Sequence, residues 1–249
     1  MKRLILSATL AALTVINPAY ATDIISMSDT ERDVFRAEVR AYLMENPEVL
    51  LEAIAVLEDR QASEDASNDT TLLLENADEI YNDGVSFVGG NPDGDVTVVE
   101  FSDYRCPYCK RAHPEVAELV ASDGNIRLIY KEFPILGPDS LTTAKFAMAT
   151  LMVSGPEAYE KVSSALMELR GSPSNDALIK MANGFDLDAD AVMAKMDSTE
   201  VKQVIQANRA LGQRLKISGT PTFIMGDQIV RGYVPLENMR AIVEDIRKD

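Results

Sequence analysis

Cys106-Pro107-Tyr108-Cys109 is the stretch of this 249-residue sequence that decides its fold and its chemistry. It follows an apolar, strand-like run from Val96 to Phe101 and opens a helix-like run from Lys110 to Val120. A cysteine at such a junction lies near free backbone N–H groups and the positive end of the helix dipole, which stabilise its thiolate and lower its pKa. Cys106 is therefore the expected nucleophile. Cys109, one helical turn later, is close enough to form a reversible disulfide with it.

A structural disulfide and a metal site are the alternatives for this pair. A disulfide between residues three apart closes so short a loop that it constrains the unfolded chain by only about 2 kcal/mol. Zinc normally takes four protein ligands, or three and a water, whereas the sequence offers two cysteines and one histidine, His113. Redox chemistry is the favoured interpretation, and no cofactor is expected. A metal site, for example for copper, built from Cys106, Cys109 and His113 is the main alternative.

The first 21 residues have the three parts of a secretory signal. Met1-Lys2-Arg3 is basic, Leu4 to Ile16 is apolar, and Ala19-Tyr20-Ala21 supplies the small residues of a cleavage site. We expect cleavage after Ala21 and export to the periplasm, where thiol pairs persist as disulfides. An uncleaved anchor is the alternative, although the apolar run is short for a membrane span.

The charge balance is strongly acidic, with 24 basic and 40 acidic residues and a formal net charge of −16. Removal of the predicted signal takes away Lys2 and Arg3, which leaves 22 basic residues against 40 acidic ones and a net charge of −18. Such a surface repels nucleic acid and anionic lipid, so neither is an expected partner.

Residues 22–83 are predicted to form a helical N-terminal arm. Its amphipathic pattern runs from Ser28 to Ala62 with one interruption at Asn46-Pro47. The polar stretch from Ser63 to Thr70 is typical of a linker, and a third helix-like piece follows it from Leu72 to Tyr81. The apolar stripes either fold back on the rest of the chain or pair with the same stripes on other copies. We favour the second interpretation, which makes a homo-oligomer.

Residues 84–249 mix strand-like and helix-like segments, which predicts an α/β domain. The strand-like segments are Val85 to Val88, Val96 to Phe101, Ile126 to Lys131, Thr222 to Met225 and Gln228 to Arg231. The second and third are joined by the helix that carries the cysteines, which implies a parallel pair. Residues 138–216 are typical of several helices inserted before the last two strands, and Leu236 to Arg247 of a closing helix.

Two motifs far apart in the sequence carry a family resemblance. The run from Phe101 to Cys109, followed by a helical insertion and by Gly219-Thr220-Pro221-Thr222-Phe223, resembles the DsbA-type branch of the thioredoxin superfamily. In the arm, the run from Asn46 to Ala53 is similar to that of ScsC-like proteins, whose arms can mediate self-association. The resemblance implies an α/β, thioredoxin-like fold with an inserted helical domain and a helical N-terminal arm.

The resemblance also implies which residues meet the substrate. The Thr220-Pro221 bond would be cis and would lie against the cysteine pair, with Thr220 touching the sulfur of Cys106. A proline there blocks ladder pairing and leaves backbone groups free to hydrogen-bond an extended substrate segment. Pro107 and Tyr108, between the cysteines, would shape the rim of the site. The Thr220 hydroxyl would make the site more polar than an aliphatic residue would. In this respect the site resembles the isomerase-type sites of the superfamily.

Glu100 is the acidic residue of an otherwise apolar strand. Strand alternation alone could turn it to solvent, whereas the resemblance implies a carboxyl buried beneath the cysteine pair. If buried, it would have a raised pKa and could exchange a proton with Cys109. Lys131 is a candidate charge partner for it. His113 is expected to be a surface histidine, with tuning of the thiolate or a third metal ligand as alternatives.

We therefore expect an exported protein thiol–disulfide oxidoreductase. Cys106 would be the exposed sulfur that forms a mixed disulfide with a substrate, and Cys109 would resolve it. Its expected partners are cysteine-containing exported proteins and a redox partner that recharges the pair. The arm and Thr220 favour an isomerase or reductase over a dithiol oxidase of the same fold. The alternative from another functional class is a copper-binding protein that uses Cys106, Cys109 and His113.

Overall fold

The computed structural model describes residues 27–248. The chain divides into two units, Met1–Arg60 and Gln61–Asp249. The predicted signal segment, residues 1–21, lies outside the described residues. In the described range, no helix is both long enough and apolar enough to cross a membrane.

Among the described residues, the first unit holds α1 (Asp29–Glu45) and the start of α2 (Glu48–Glu75), whose last residues belong to the second unit. A capping box starts α1, because the Ser28 hydroxyl accepts from the Glu31 N–H and the Glu31 carboxylate accepts from the Ser28 N–H. The predicted interruption at Asn46-Pro47 separates the two helices. No residue of α1 is buried, and the exposed apolar side chains of the two helices include Val34, Phe35, Val39, Tyr42, Leu50, Ile54 and Leu57.

The predicted linker from Ser63 to Thr70 is wrong, because α2 runs through it without a break. Ser, Asn and Asp favour turns over helix interiors in isolation, but tertiary contacts decide the outcome here. Asp69 accepts two hydrogen bonds from the Arg231 guanidinium, at 2.8 and 2.9 Å. Four residues later, Leu73 is buried in the core. These contacts offset the weak intrinsic preference of the segment for a helix.

The second unit begins at Gln61, earlier than the predicted start of the α/β domain at residue 84. The reason is that the segment before residue 84 contributes to the core of this unit. Leu73 and Ile80 are 5% and 0% exposed and pack in one hydrophobic cluster with strand residues. Ile80 lies on the short helix α3 (Ala77–Tyr81).

A five-stranded sheet forms the centre of the second unit, in the order β1-β3-β2-β4-β5. Its strands are β1 (Phe87–Gly90), β2 (Val96–Ser102), β3 (Ile126–Glu132), β4 (Thr222–Met225) and β5 (Gln228–Arg231). The predicted parallel pair is confirmed, since β2 and β3 are parallel and every other pairing is antiparallel. Between β2 and β3 lies α4 (Pro107–Asp123), the helix that carries the cysteine pair.

The first predicted strand is shifted by two residues, because Val85 and Ser86 form a turn instead. Their N–H groups donate to the Asp83 carboxylate at 3.0 and 2.9 Å. The strand then extends to Gly90, two residues beyond the predicted end at Val88. Gly90 has φ +66°, and a Cβ there would lie 2.4 Å from the Ile126 carbonyl oxygen, so only glycine fits.

Both faces of the sheet are covered, and this is what buries the site. On one face α4 and the closing helix α10 (Leu236–Ile246) pack with Val98, Phe223 and Met225. On the other, Val99 and Phe101 pack with α3 and with the last inserted helix, α9. The inserted helices are α5 (Pro138–Ser154), α6 (Pro156–Glu168), α7 (Asn175–Gly184), α8 (Ala189–Lys195) and α9 (Thr199–Arg214). They fall within the predicted insertion.

Candidate active site

Cys106 occupies the N-cap of α4, as the strand–helix junction predicts. Its φ of −75° and ψ of 122° are extended, and Pro107 takes the first helical turn, where a missing N–H costs nothing. The Lys110 N–H donates to the Cys106 carbonyl at 3.1 Å and closes the first turn of the helix. The free N–H groups of that turn therefore point towards the Cys106 side chain.

Asp103 holds the turn between β2 and α4 in place. Its carboxylate accepts from the Arg105 N–H at 2.8 Å, and its carbonyl accepts from the Cys106 N–H at 3.0 Å. The second carboxylate oxygen accepts from the N–H groups of Ile135 and Leu136 at 2.8 and 3.1 Å. Asp103 is 1% exposed and was not singled out in the sequence. The signal for it was present, since an aspartate directly after a strand commonly caps the turn that follows.

The two thiols are free, and each changes the acidity of the other. A hydrogen bond from Cys109 lowers the pKa of Cys106 to about 5, and the N–H groups of Cys109 and Tyr108 lower it further, while burial opposes them. The same bond raises the pKa of Cys109, as do burial and the charge of Glu100. The pair thus divides into one thiolate and one protonated thiol at neutral pH.

The low pKa of Cys106 predicts a specific pH profile for alkylation of the reduced protein. Iodoacetamide reacts with thiolates, so the rate at Cys106 should stay level from about pH 8 to about pH 6 and fall tenfold per unit below about pH 5. Rate measurements with peptide mapping would check this. A rate that is still rising between pH 7 and pH 9, as for a free cysteine, would contradict it.

The Thr220-Pro221 bond is cis, and its loop lies against Cys106. The Cys106 sulfur is 3.1 Å from the Thr220 carbonyl oxygen, across 114 positions of the chain. The Thr220 hydroxyl is buried beside the pair, and its interaction with the Cys106 sulfur helps to lower the pKa of Cys106. The Pro221 carbonyl is held by the Gly232 N–H at 2.9 Å.

The loop also covers Cys106 more than we expected for an attacking sulfur. Cys106 is 5% exposed and Cys109 is 0% exposed. The order of accessibility agrees with the prediction, but the nucleophile is recessed, whereas Pro107 and Tyr108 beside it are exposed. Tyr108, between the cysteines, is 60% exposed, and Leu136, whose N–H group binds Asp103, is 53% exposed.

Glu100 is buried at 0% exposure, so the solvent-facing alternative from strand alternation is wrong. It faces the α4 side of the sheet with Val98 and Ser102, and that side is covered. Burial raises the pKa of Glu100 to about 7. One of its carboxylate oxygens, Oε2, has no partner in the described part of the chain.

Ser102 and Tyr130 connect Glu100 to Cys109, and sequence reasoning missed both. The Tyr130 hydroxyl donates to Ser102 Oγ at 3.0 Å and lies 3.4 Å from Glu100 Oε1. Ser102 in turn interacts with both the Glu100 carboxylate and the Cys109 sulfur. Strand alternation could have predicted both residues. Ser102 is two residues after Glu100 and so lies on the same face, and Tyr130 on β3 pairs directly with Glu100.

A second buried acid, Glu132, supports the turn from the neighbouring strand. Its Oε1 accepts from the hydroxyls of Tyr104 and Tyr159 at 2.7 and 2.6 Å. Burial raises the pKa of Glu132 to about 8. Tyr104 lies in the turn before Cys106, so this bond anchors the turn to β3 and to the inserted helices.

Lys131 is not the charge partner of Glu100. Its neighbour in the strand, Tyr130, pairs with Glu100, so Lys131 points to the opposite face of the sheet. There its ammonium donates to the Asp83 carboxylate at 2.6 Å and to the Glu79 carbonyl at 2.7 Å. This lysine instead ties the segment before β1 to the sheet.

The structure does not assemble a copper site from the cysteine pair and His113. His113 is partly buried, and its Nε2 lies 3.0 Å from Ser164 Oγ on α6. Across residues 27–248, no three His, Cys, Asp or Glu side chains are grouped so that they could hold a metal ion. His113 was expected at the surface, but it is only partly exposed. Its burial lowers its pKa.

The comparisons with known proteins agree with this geometry. A family model described as thioredoxin matches residues 82–245, about two thirds of the chain. The chain belongs to the thioredoxin family. A second model, described as the N-terminal domain of copper resistance protein ScsC, matches residues 31–64 of the arm. The predicted DsbA-type, ScsC-like membership and the thioredoxin-like fold are confirmed.

Three solved structures show how far the likeness to this thioredoxin-family chain extends. A thioredoxin-like oxidoreductase from Silicibacter pomeroyi DSS-3 is 40% identical, with 69% of this chain and 98% of that one covered and a TM-score of 0.64. The thiol-disulfide exchange protein alpha-DsbA2 from Wolbachia pipientis is 27% identical, with 73% and 97% covered and a TM-score of 0.68. A linker-deletion mutant of Proteus mirabilis ScsC is 26% identical, with 90% and 98% covered and a TM-score of 0.67.

One curated relative is much longer than the thioredoxin-family region. Na(+)/H(+) antiporter NhaA 1 from Salinispora arenicola is 29% identical over 157 residues, which are 63% of this chain and 24% of the antiporter. The chain therefore spans about a quarter of the length of this relative.

Proposed function

We propose that this chain is a protein thiol–disulfide oxidoreductase that works through Cys106 and Cys109. The observation that carries the proposal is the Cys106 sulfur at the start of α4, 3.1 Å from the carbonyl of the cis-proline loop. A low-pKa thiolate is a nucleophile, and the loop beside it offers backbone groups to an extended segment. The relatives described as an oxidoreductase and as a thiol-disulfide exchange protein support the same activity.

In the first step, the Cys106 thiolate attacks one sulfur of a substrate disulfide, and the other substrate sulfur leaves as a thiolate. A mixed disulfide between Cys106 and the substrate results. Once Cys106 is a thiolate it no longer donates to the Thr220 carbonyl, which is then free to accept from a substrate N–H. Exposed Tyr108 and Leu136 give the substrate an apolar surface to lie on.

In the second step, Cys109 attacks the Cys106 sulfur and releases the substrate thiolate. Cys109 must first lose its proton, and burial, which still raises its pKa when Cys106 is joined to the substrate, makes this the difficult event. Glu100, with a pKa of about 7 and a link through Ser102, is the base that takes the proton. In the opposite direction a substrate thiolate attacks the Cys106–Cys109 disulfide, and the same groups return the proton to Cys109.

We infer that the chain acts as an isomerase or reductase rather than as a dithiol oxidase. The buried Thr220 hydroxyl adds a polar group that interacts with the reacting sulfur. The expected partners are exported cysteine-containing proteins and a redox protein that returns the pair to its reduced state. The signal-like first 21 residues support export to the periplasm, with cleavage after Ala21.

Scrambled ribonuclease separates the two directions. We expect the reduced protein to restore ribonuclease activity at least about tenfold faster than an equal concentration of a free dithiol, because Cys106 is acidic and lies beside the cis-proline loop. The oxidised protein should be a weak oxidant of reduced ribonuclease in the same buffer. If only the oxidation reaction is fast, the chain is a dithiol oxidase.

The arm is proposed to join copies of the chain through its apolar faces. Its exposed side chains include Val34, Phe35 and Leu57, each more than 40% exposed. Apolar stripes on helices of this length normally pack against a partner. Light scattering of the mature protein should therefore give a multiple of the monomer mass, and a chain lacking residues 22–60 should give the monomer mass. If both proteins give the monomer mass, the proposal is refuted.

A further inference from the structure

Three basic side chains lie beside the active-site turn, in a chain whose net charge is −16. They are Arg105, which precedes the nucleophile, Lys110 on the first turn of α4, and Arg170 in the connection between α6 and α7. We call these three residues the basic rim. Arg170 is exposed, whereas the other two are partly buried.

Lys110 and Arg105 hold in place the segment that carries Arg170. The Lys110 ammonium donates to the carbonyls of Met167 and Leu169 at 2.8 and 2.9 Å. The Arg105 guanidinium donates to the Gly171 carbonyl at 2.7 Å. Arg170 lies between Leu169 and Gly171, whose carbonyls accept these hydrogen bonds. Its exposed side chain therefore lies next to the start of α4.

Little negative charge offsets the basic rim. Lys110 and Arg170 form no ion pair within the described residues, and Arg105 has one, to the Asp139 carboxylate at 3.9 Å. Burial lowers the pKa of Lys110, and the like charges of Arg105 and Arg170 lower it further.

Two other carboxylates, those of Asp103 and Glu168, lie close by, and neither forms an ion pair with the rim. The Asp103 carboxylate is buried and bound by three backbone N–H groups. Glu168 is exposed and acts on His113, at the next turn of α4. Because charges are screened over about 8 Å at physiological salt, the rim rather than the distant acidic surface sets the field that a substrate meets at the start of α4.

We propose that the basic rim selects substrates whose reacting cysteine is flanked by acidic residues. This inference rests on the proposed disulfide exchange. In an extended segment, residues one or two positions from the cysteine lie within about 7 Å of it, which places their side chains within reach of the rim. The acidic protein as a whole would favour basic substrates, so the proposal and the net charge predict opposite preferences.

The test uses three symmetric peptide disulfides that differ only in the two residues on each side of the cysteine: Asp, Asn or Lys. The Cys106 thiolate of the reduced full chain displaces one peptide as a thiol, and Cys109 then displaces the second. Two protein thiols become one disulfide, and one peptide disulfide becomes two thiols. The measured quantity is the second-order rate of protein oxidation, by acid quench and mass spectrometry.

For the unmodified chain we expect the Asp peptide to react about tenfold faster than the Lys peptide at about 0.02 M salt. The ratio should approach one at about 0.5 M salt, where screening is strong. Arg170→Glu should lower the low-salt ratio at least about fivefold, and Arg170→Gln should lower it by less. The ratio cancels any change in thiolate reactivity that affects all peptides equally.

The matched control is Lys180→Glu, the same change of charge at an exposed residue of α7. It should leave the ratio within about twofold. A low-salt ratio at or below one in the unmodified chain, or a ratio that Arg170→Glu does not change, would overturn the inference. If the uncharged Asn peptide does not react at all, the proposed exchange activity itself fails.

Discussion

Cys106→Ser should lower the rate of disulfide exchange by at least about a thousandfold. A serine hydroxyl is not ionised at neutral pH, and the position that lowers the thiol pKa to about 5 cannot make an oxygen nucleophile of comparable strength. The variant should fold normally, since serine can also occupy the N-cap of α4. Exchange would be measured with a peptide disulfide, and circular dichroism would confirm the fold.

Cys109→Ser distinguishes the roles of the two sulfurs. Because Cys106 keeps its reactivity, this variant should form mixed disulfides and release them at least about a hundredfold more slowly. Non-reducing electrophoresis and mass spectrometry would show the adduct on Cys106. Adducts formed instead by the Cys106→Ser variant would reverse the assignment of nucleophile and resolving cysteine.

Glu100→Gln should slow the resolution of the mixed disulfide by about tenfold or more at pH 7. The amide has the same shape but cannot take the proton from Cys109, whose pKa burial still raises when Cys106 is joined to the substrate. In the unmodified chain the rate of resolution should rise with pH through about 7, as the Glu100 carboxyl ionises. The variant should lose this inflection.

The rate of resolution can be followed by preparing a labelled peptide mixed disulfide and quenching its decay with acid at a series of pH values. Glu132→Gln is the matched control, since Glu132 is also a buried glutamate with a raised pKa but bonds Tyr104 and Tyr159. If the inflection near pH 7 survives in Glu100→Gln and disappears in Glu132→Gln, the proton acceptor is Glu132.

The local features of the site could be predicted because each depends on neighbours in sequence. A cysteine between an apolar strand and an amphipathic helix becomes an N-cap wherever the rest of the fold lies, and the structure places Cys106 there. The interruption at Asn46-Pro47 and the parallel pairing of β2 and β3 depend on similarly short-range signals. The placement of Thr220 and Pro221 was instead expected from a family resemblance, since 114 positions separate them from the sulfur.

Other features could not be predicted because distant contacts decide them. Residues 63–70 have the composition of a linker, yet the pairing of Asp69 with Arg231 and the burial of Leu73 keep them helical. The direction of Lys131 follows from strand register, and its partner Asp83 lies 48 positions away. Likewise, the basic rim is assembled from residues up to 65 positions apart, held together by backbone carbonyls.

The amino-acid sequence by itself determined where the reactive sulfur lies and why it is acidic, because a helix start creates that environment within a few residues. Only the tertiary structure decided that Glu100 is buried with a pKa near 7, because this requires helices packed over its face of the sheet. Likewise, only the tertiary structure linked that carboxyl to Cys109 through Ser102 and Tyr130. Proton transfer depends on such long-range packing, whereas nucleophilicity at Cys106 depends mainly on the local chain.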